Sequence, residues 1–168
     1  MALKWKKEDL KTLAQKKMDM ANEACEAVIH NGVDVELSGG TEHFSFEDKD
    51  QINIDSMMSA VRMGATKYAY HKDSGETVSD CVMYSAVDIV KIYVACKTCV
   101  TYQTTYCNKL KKWIEREQDK NVLASITYGI ALPSDLQEEL QEIMDGTQEE
   151  VQRILANITQ QAAGGGEA

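Results

Sequence analysis

The sequence predicts a mostly helical α+β fold, in the order helix, β-hairpin, helix, β-hairpin, long coiled-coil-like helix, then C-terminal helices. Three observations carry this prediction. Apolar residues recur at three- and four-residue steps through most of the 168 residues, the spacing that lines one face of a helix. Two short stretches instead alternate apolar and polar residues around glycine-containing turns, the period of a strand. The stretch 86–118 has neither proline nor glycine.

Element by element, Leu10, Leu13, Ala14, Met18, Ala21, Cys25, Val28 and Ile29 mark a helix over 7–30, which Asn31-Gly32 ends as a left-handed cap. Val33-Asp34-Val35-Glu36-Leu37 and Glu42-His43-Phe44-Ser45-Phe46 alternate on either side of Ser38-Gly39-Gly40, making a hairpin. Acids at Glu47, Asp48 and Asp50 suit the start of a helix dipole. Ile52, Ile54, Met57, Met58, Val61 and Met63 then form its apolar set, and Gly64 closes it. Residues 67–70 and 77–84 make a second hairpin around Asp73-Ser74-Gly75. Ser85-Ala86-Val87-Asp88 fits a capping box, with an acid three residues after the serine.

The long helix of 86–118 carries Ile89, Tyr93, Cys96, Val100, Gln103, Cys107, Leu110 and Ile114 at alternating steps of four and three. This is a heptad seam, which predicts a contact between copies of the chain; the alternative is an ordinary long helix packing on the shorter ones, with Gln103 meeting solvent. Gln103 is its one polar amide, a residue type that fixes register at some cost in stability. Val90, Ile92, Val94, Tyr102, Thr104, Thr105 and Tyr106 widen the apolar and semi-polar face. Next come a short helix over 122–128, Pro133 before a last helix opened by Ser134-Asp135, and a linker-like tail over 162–168. Asp145-Gly146 is a candidate interruption of that last helix. The segments read as 1–32, 33–118, 119–161 and 162–168.

Composition bounds the function. The chain has 18 Lys plus Arg against 27 Asp plus Glu, a formal charge of -9, which argues against a nucleic acid partner. No stretch of about 18 apolar residues exists to span a membrane. The charged start, Met1-Ala2-Leu3-Lys4-Trp5-Lys6-Lys7, does not resemble a secretory signal. From Glu117 to Ala168 acids outnumber basic residues ten to two, whereas the first 24 residues carry six lysines against four acids, which predicts head-to-tail pairing or simply two solvated faces. Aromatics make up only 7% of the chain, so part of the burial is expected from neighbouring subunits.

Catalytic and metal chemistry find little support. The five cysteines read as free thiols in a reducing compartment. Cys96-Lys97-Thr98-Cys99 lies inside a helical pattern rather than at the helix start that activates a redox pair. Cys107, His30, His43 and His71 supply no second paired motif for zinc. Asp48-Lys49-Asp50 fails as a calcium loop, because Ile52 stands at a ligand position and the required glycine is missing. Glu42-His43 lacks a nucleophile in sequence, and there is no P-loop, GxGxxG or GxSxG. No catalytic residue, cofactor or metal is therefore assigned.

A resemblance adds to this reading. Its residues are Gly39-Gly40-Thr41-Glu42-His43-Phe44-Ser45-Phe46, Asp50-Gln51-Ile52-Asn53-Ile54, Gly64-Ala65-Thr66 and Tyr70-His71-Lys72-Asp73-Ser74-Gly75-Glu76. Tyr84-Ser85-Ala86, Thr101-Tyr102-Gln103-Thr104-Thr105-Tyr106-Cys107-Asn108 and Ile126-Thr127-Tyr128-Gly129-Ile130-Ala131-Leu132-Pro133 complete it. In order and spacing these resemble a family of phage and prophage structural proteins, tail-associated domains of unknown function frequent in Firmicutes prophages. The likeness covers over half the chain and has the same order of elements. It implies a non-enzymatic virion or phage-tail-like subunit, made in the bacterial cytoplasm and docking on other particle proteins. It also implies a homo-oligomer, with a trimer favoured because fibres tend to be threefold. A tail assembly chaperone or adaptor, a head-decorating fibre protein, and an enzyme acting on the host surface are the alternatives.

Overall fold

The computed structural model describes residues 7–71 and 80–164. The tip of the second hairpin, the first part of its return strand, and residues 165–168 of the tail lie outside the described residues. The described chain is mostly helical with two antiparallel hairpins, the architecture expected from the sequence. Its elements are α1 (Lys7–Asn31), β1 (Val33–Leu37), β2 (Gly40–Phe44), α2 (Asp48–Arg62) and β3 (Lys67–His71). They continue with β4 (Cys81–Ser85), α3 (Ala86–Arg116), α4 (Lys120–Ser125) and α5 (Ser134–Gly164). Gly146 lies within α5 without interrupting it.

The chain divides into two compact units, each built from separate stretches of sequence. One unit comprises Met1–Val28 with Tyr102–Ile143, the other Ile29–Thr101 with Met144–Ala168. α3 contributes to both units, its residues up to Thr101 to one and those from Tyr102 to the other.

In the first unit, Ala21 and Cys25 of α1, Leu110 and Ile114 of α3, Leu123 of α4, and Leu136 and Leu140 of α5 are all buried. Lys17 donates to the carbonyls of Ala124 (2.6 Å) and Ile126 (2.8 Å). A cation there satisfies carbonyls that the end of α4 leaves without helical partners. Arg116 grips both oxygens of Asp135 (2.8 Å for the longer bond). That side-chain hydrogen bond holds the Asp135 carboxyl down at about 2.

The second unit is built around the hairpins. Gly32 ends α1 with φ 73°, and its N–H donates to Ile29 O at 3.0 Å. A Cβ here would lie 1.7 Å from Phe44 O, so only glycine lets β2 close on this turn. β1 and β2 pair from Val33↔Phe44 to Leu37↔Gly40. β2 thus begins two residues earlier than the alternation suggests. Phe46 nevertheless stays fully buried beyond the strand, its N–H donating to His30 O. In α2, Ile54, Met57, Met58 and Val61 are buried, whereas Ile52 is 65% and Met63 84% exposed. Ile52 precedes Ile54 by two residues, which turns it to the far side of the helix, and Met63 lies past the last turn.

β3 and β4 pair from Lys67↔Ser85 to His71↔Cys81. Their Tyr70 and Tyr84 pack on Phe44, one stacked at 6.4 Å and one edge-on at 5.8 Å. The Tyr84 hydroxyl also donates to Glu42 (2.7 Å), which ties the two hairpins together.

Candidate functional site

The residues proposed as an oligomer seam are mostly covered by the chain itself. Ile89, Cys96, Cys107, Leu110 and Ile114 are 3% exposed or less. Tyr93 and Val100 are half-buried. The Tyr93 ring carries Arg62 (5.8 Å) and Lys97 (5.6 Å) over its face, a cation–π arrangement. Gln103 is half-buried and accepts the Tyr128 hydroxyl at 2.8 Å. The heptad spacing identified an apolar helix face correctly, but it carries no information on whose side chains cover that face.

Cys25 and Cys107 sit at the contact of α1 with α3 in the first unit. The Cys25 thiol reaches Gln103 O (3.4 Å), and the Cys107 thiol reaches Ala21 O (3.5 Å). Burial pushes the Cys107 thiol up to about 11 and the Cys96 thiol up to about 12. This is the reverse of the lowered value that makes a cysteine reactive. Cys96 with Cys99 therefore has the sequence of a redox pair without its electrostatics.

Next to them, Tyr102, Tyr106 and Tyr128 line an open groove of about 360 Å³, together with Gln103 and Gln137. Tyr106 stacks on Tyr102 at 6.3 Å and meets Tyr128 edge-on at 5.1 Å. The Tyr106 hydroxyl donates to Ile130 O (2.7 Å). The inner hydroxyls thus hold the loop after α4 in place, and Tyr102, 41% exposed, presents its ring to solvent.

The second unit holds the closest approach to a catalytic constellation. Asp50 is 8% exposed at the start of α2. One carboxylate oxygen accepts from the Tyr70 hydroxyl (3.2 Å) and from His71 Nε2 (3.1 Å). The other accepts from the Ser45 hydroxyl (2.9 Å) and the Glu47 N–H (3.2 Å). Serine, histidine and aspartate are all present, but in the wrong order for nucleophilic catalysis. A triad needs the serine on the histidine and the histidine on the acid. Here serine and histidine bind opposite oxygens of one carboxylate, and four donors fill its acceptor sites.

Asp88 is the matching centre at the start of α3. Its N–H donates to the Ser85 hydroxyl oxygen (3.2 Å), as the capping sequence predicts. Its carboxylate accepts from the Ser85 hydroxyl (2.8 Å), the Ser38 N–H (2.8 Å) and the Ser38 hydroxyl (2.9 Å). Burial alone would raise this carboxyl, but those hydrogen bonds outweigh it and hold the group below the usual range. The result anchors the β1–β2 turn to α3.

His43 faces Asp34 through Nδ1 (2.8 Å) and Asn31 O through Nε2 (2.6 Å), bracing the first hairpin. Glu42, its sequence neighbour, holds Tyr84 instead. Among the described residues, no three His, Cys, Asp or Glu side chains gather in a metal-holding group. No described helix is long and apolar enough to cross a membrane.

Sequence reasoning placed Asp50 and Asp88 at the starts of helices and paired Asp88 with Ser85, but it missed their distant partners, Tyr70 and His71 for Asp50 and Ser38 for Asp88, which lie 20 to 50 residues away. Compared with known proteins, the chain matches no family model, no curated protein and no solved structure.

Proposed function

We propose that this chain is a non-enzymatic structural subunit of a phage tail, baseplate or phage-tail-like particle, one that assembles with copies of itself and docks on neighbouring particle proteins. The observation that carries the non-enzymatic half is the Asp50 centre. Its donors close on the carboxylate and fix α2 to the second hairpin, which is how a rigid building block uses a buried acid. The particle half rests on the resemblance of residues 39–133 and on the order of elements.

Burial of Ile89, Cys96, Cys107, Leu110 and Ile114 within the chain leaves the half-buried Tyr93, Val100 and Gln103 of the seam for a contact between copies. That same burial favours a second reading. A chain that completes its own core along α3 suits a tail assembly adaptor, which binds a particle protein and leaves. Light scattering of the purified chain across a concentration range separates the two. The subunit reading expects a mass above one chain that persists on dilution into the low micromolar range. A monomer at every concentration would reject it in favour of the adaptor.

A further inference from the structure

We propose that Cys25 of α1 and Cys107 of α3 are a disulfide-forming pair, which closes when the chain folds in an oxidising medium and staples the two helices together. The inference stands apart from the particle reading above.

The first argument is position. Both cysteines belong to the first unit, and both are buried. The Cys25 thiol donates to Gln103 O, one turn before Cys107. The Cys107 thiol donates to Ala21 O, one turn before Cys25. Side chains on a helix lean toward its N-terminus and cover the preceding turn. A sulfur seated on Gln103 O therefore lies beside the side chain of Cys107, and a sulfur on Ala21 O lies beside that of Cys25. The two thiols are accordingly within hydrogen-bonding reach of each other.

The second argument is the placement of the other cysteines. Cys81, Cys96 and Cys99 all belong to the other unit. Cys96 and Cys99 lie one turn apart on α3, so a bond between them would join no two elements. A bond from Cys25 to Cys107 joins helices far apart in sequence and closes a long loop. In the chain-entropy account such a loop takes the most freedom from the unfolded chain, so its closure stabilises the fold most.

The third argument is that oxidation strands no polar group. A thiol is a weak donor. Each of the two carbonyls keeps the N–H four residues further along its own helix. Gln103 O also accepts the Tyr128 hydroxyl at 3.4 Å.

The oxidant is a small organic disulfide. One cysteine attacks it as a thiolate, forming a mixed disulfide and releasing the first small thiol. The second cysteine then attacks the mixed disulfide, forming the Sγ–Sγ bond and releasing the second small thiol. The two protein thiols lose two electrons and two protons, and the small disulfide gains both. In the folded chain burial pushes the Cys107 thiol up to about 11 and shields the pair, so exchange takes place before α1 has docked on α3. A chain folded in a reducing medium keeps both thiols, and a chain folded in an oxidising one carries the staple.

The test uses the full chain, unfolded in urea and refolded in glutathione buffers that run from reduced to oxidised. After acid quenching and alkylation, mass spectrometry should find Cys25 linked to Cys107 more often than all other cysteine pairs together. The linked form should melt at least about 4 °C above the reduced form. Cys25→Ala and Cys107→Ala should each abolish that difference between buffers. Linkage spread evenly over the five cysteines, or a Cys25–Cys107 form that melts below the reduced chain, would overturn the proposal. The mapping on wild type decides the pairing even where a variant fails to fold.

Discussion

Asp50→Asn is the substitution that most sharply separates a structural carboxylate from a catalytic one. The amide keeps one oxygen, which can still accept from Tyr70 and His71. Its NH2 group then occupies the place of the other oxygen, facing the Ser45 hydroxyl and the Glu47 N–H. The hydroxyl can rotate to accept, but the backbone N–H cannot, and it is left against another donor. Hydrogen bonds to a charged group contribute about 1.5–3 kcal/mol each, and an unmet buried donor costs about 1–3 kcal/mol. One bond lost outright and the others weakened give roughly 3–4 kcal/mol of destabilisation. For a chain of this size about 1 kcal/mol corresponds to ~2–4 °C, so melting should fall by roughly 6–16 °C. Urea denaturation followed by circular dichroism at neutral pH is the assay, with wild type alongside. A loss below about 0.5 kcal/mol would refute the account of Asp50 as a fully engaged structural centre.

Other perturbations test separate parts of the account. Gly32→Ala must place a Cβ on Phe44 O at positive φ and should destabilise by more than about 3 kcal/mol, measured by the same urea titration, whereas Gly39→Ala in the adjoining turn meets open space. Gln103→Leu removes the acceptor of the Tyr128 hydroxyl and should cost about 0.5–1.5 kcal/mol; a gain in thermal stability would instead place Gln103 in a contact between helices of different copies. Asp88 and Asp135 both have folded pKa values below their unfolded ones. Their stabilisation is therefore present above about pH 4 and lost as pH falls through the folded values, toward about 2 for Asp135. Asp88→Asn should flatten the acid limb of a stability–pH curve, and an unchanged limb would contradict that assignment. Thiol labelling at pH 8 should reach the exposed Cys81 first and Cys25, Cys96 and Cys107 only after unfolding; fast labelling of Cys96 would deny its burial.

Local signals were legible wherever one residue decides local geometry. Asn31-Gly32 ended α1, alternation marked β1 to its two ends, and Ser85 with Asp88 marked the start of α3. What the sequence concealed were relations between distant residues. The Asp88 carboxylate is engaged largely by Ser38, 50 positions away, and no local rule points there. Ile52 and Met63 counted as core because they are apolar, although helical geometry places them off the buried face. The α3 seam shows the same limit, since periodicity locates a buried stripe without naming its cover. The Asp50 centre needed the second hairpin to deliver Tyr70 and His71 to the start of α2, a consequence of tertiary folding alone.

The most direct test of the proposed function is the abundance of this chain in tail or tail-like particles purified by density gradient from cells that carry it. Quantitative mass spectrometry should find it at a fixed ratio to the other structural proteins, unchanged by high-salt washing. Its presence only in the low-mass fractions at the top of the gradient would contradict the account.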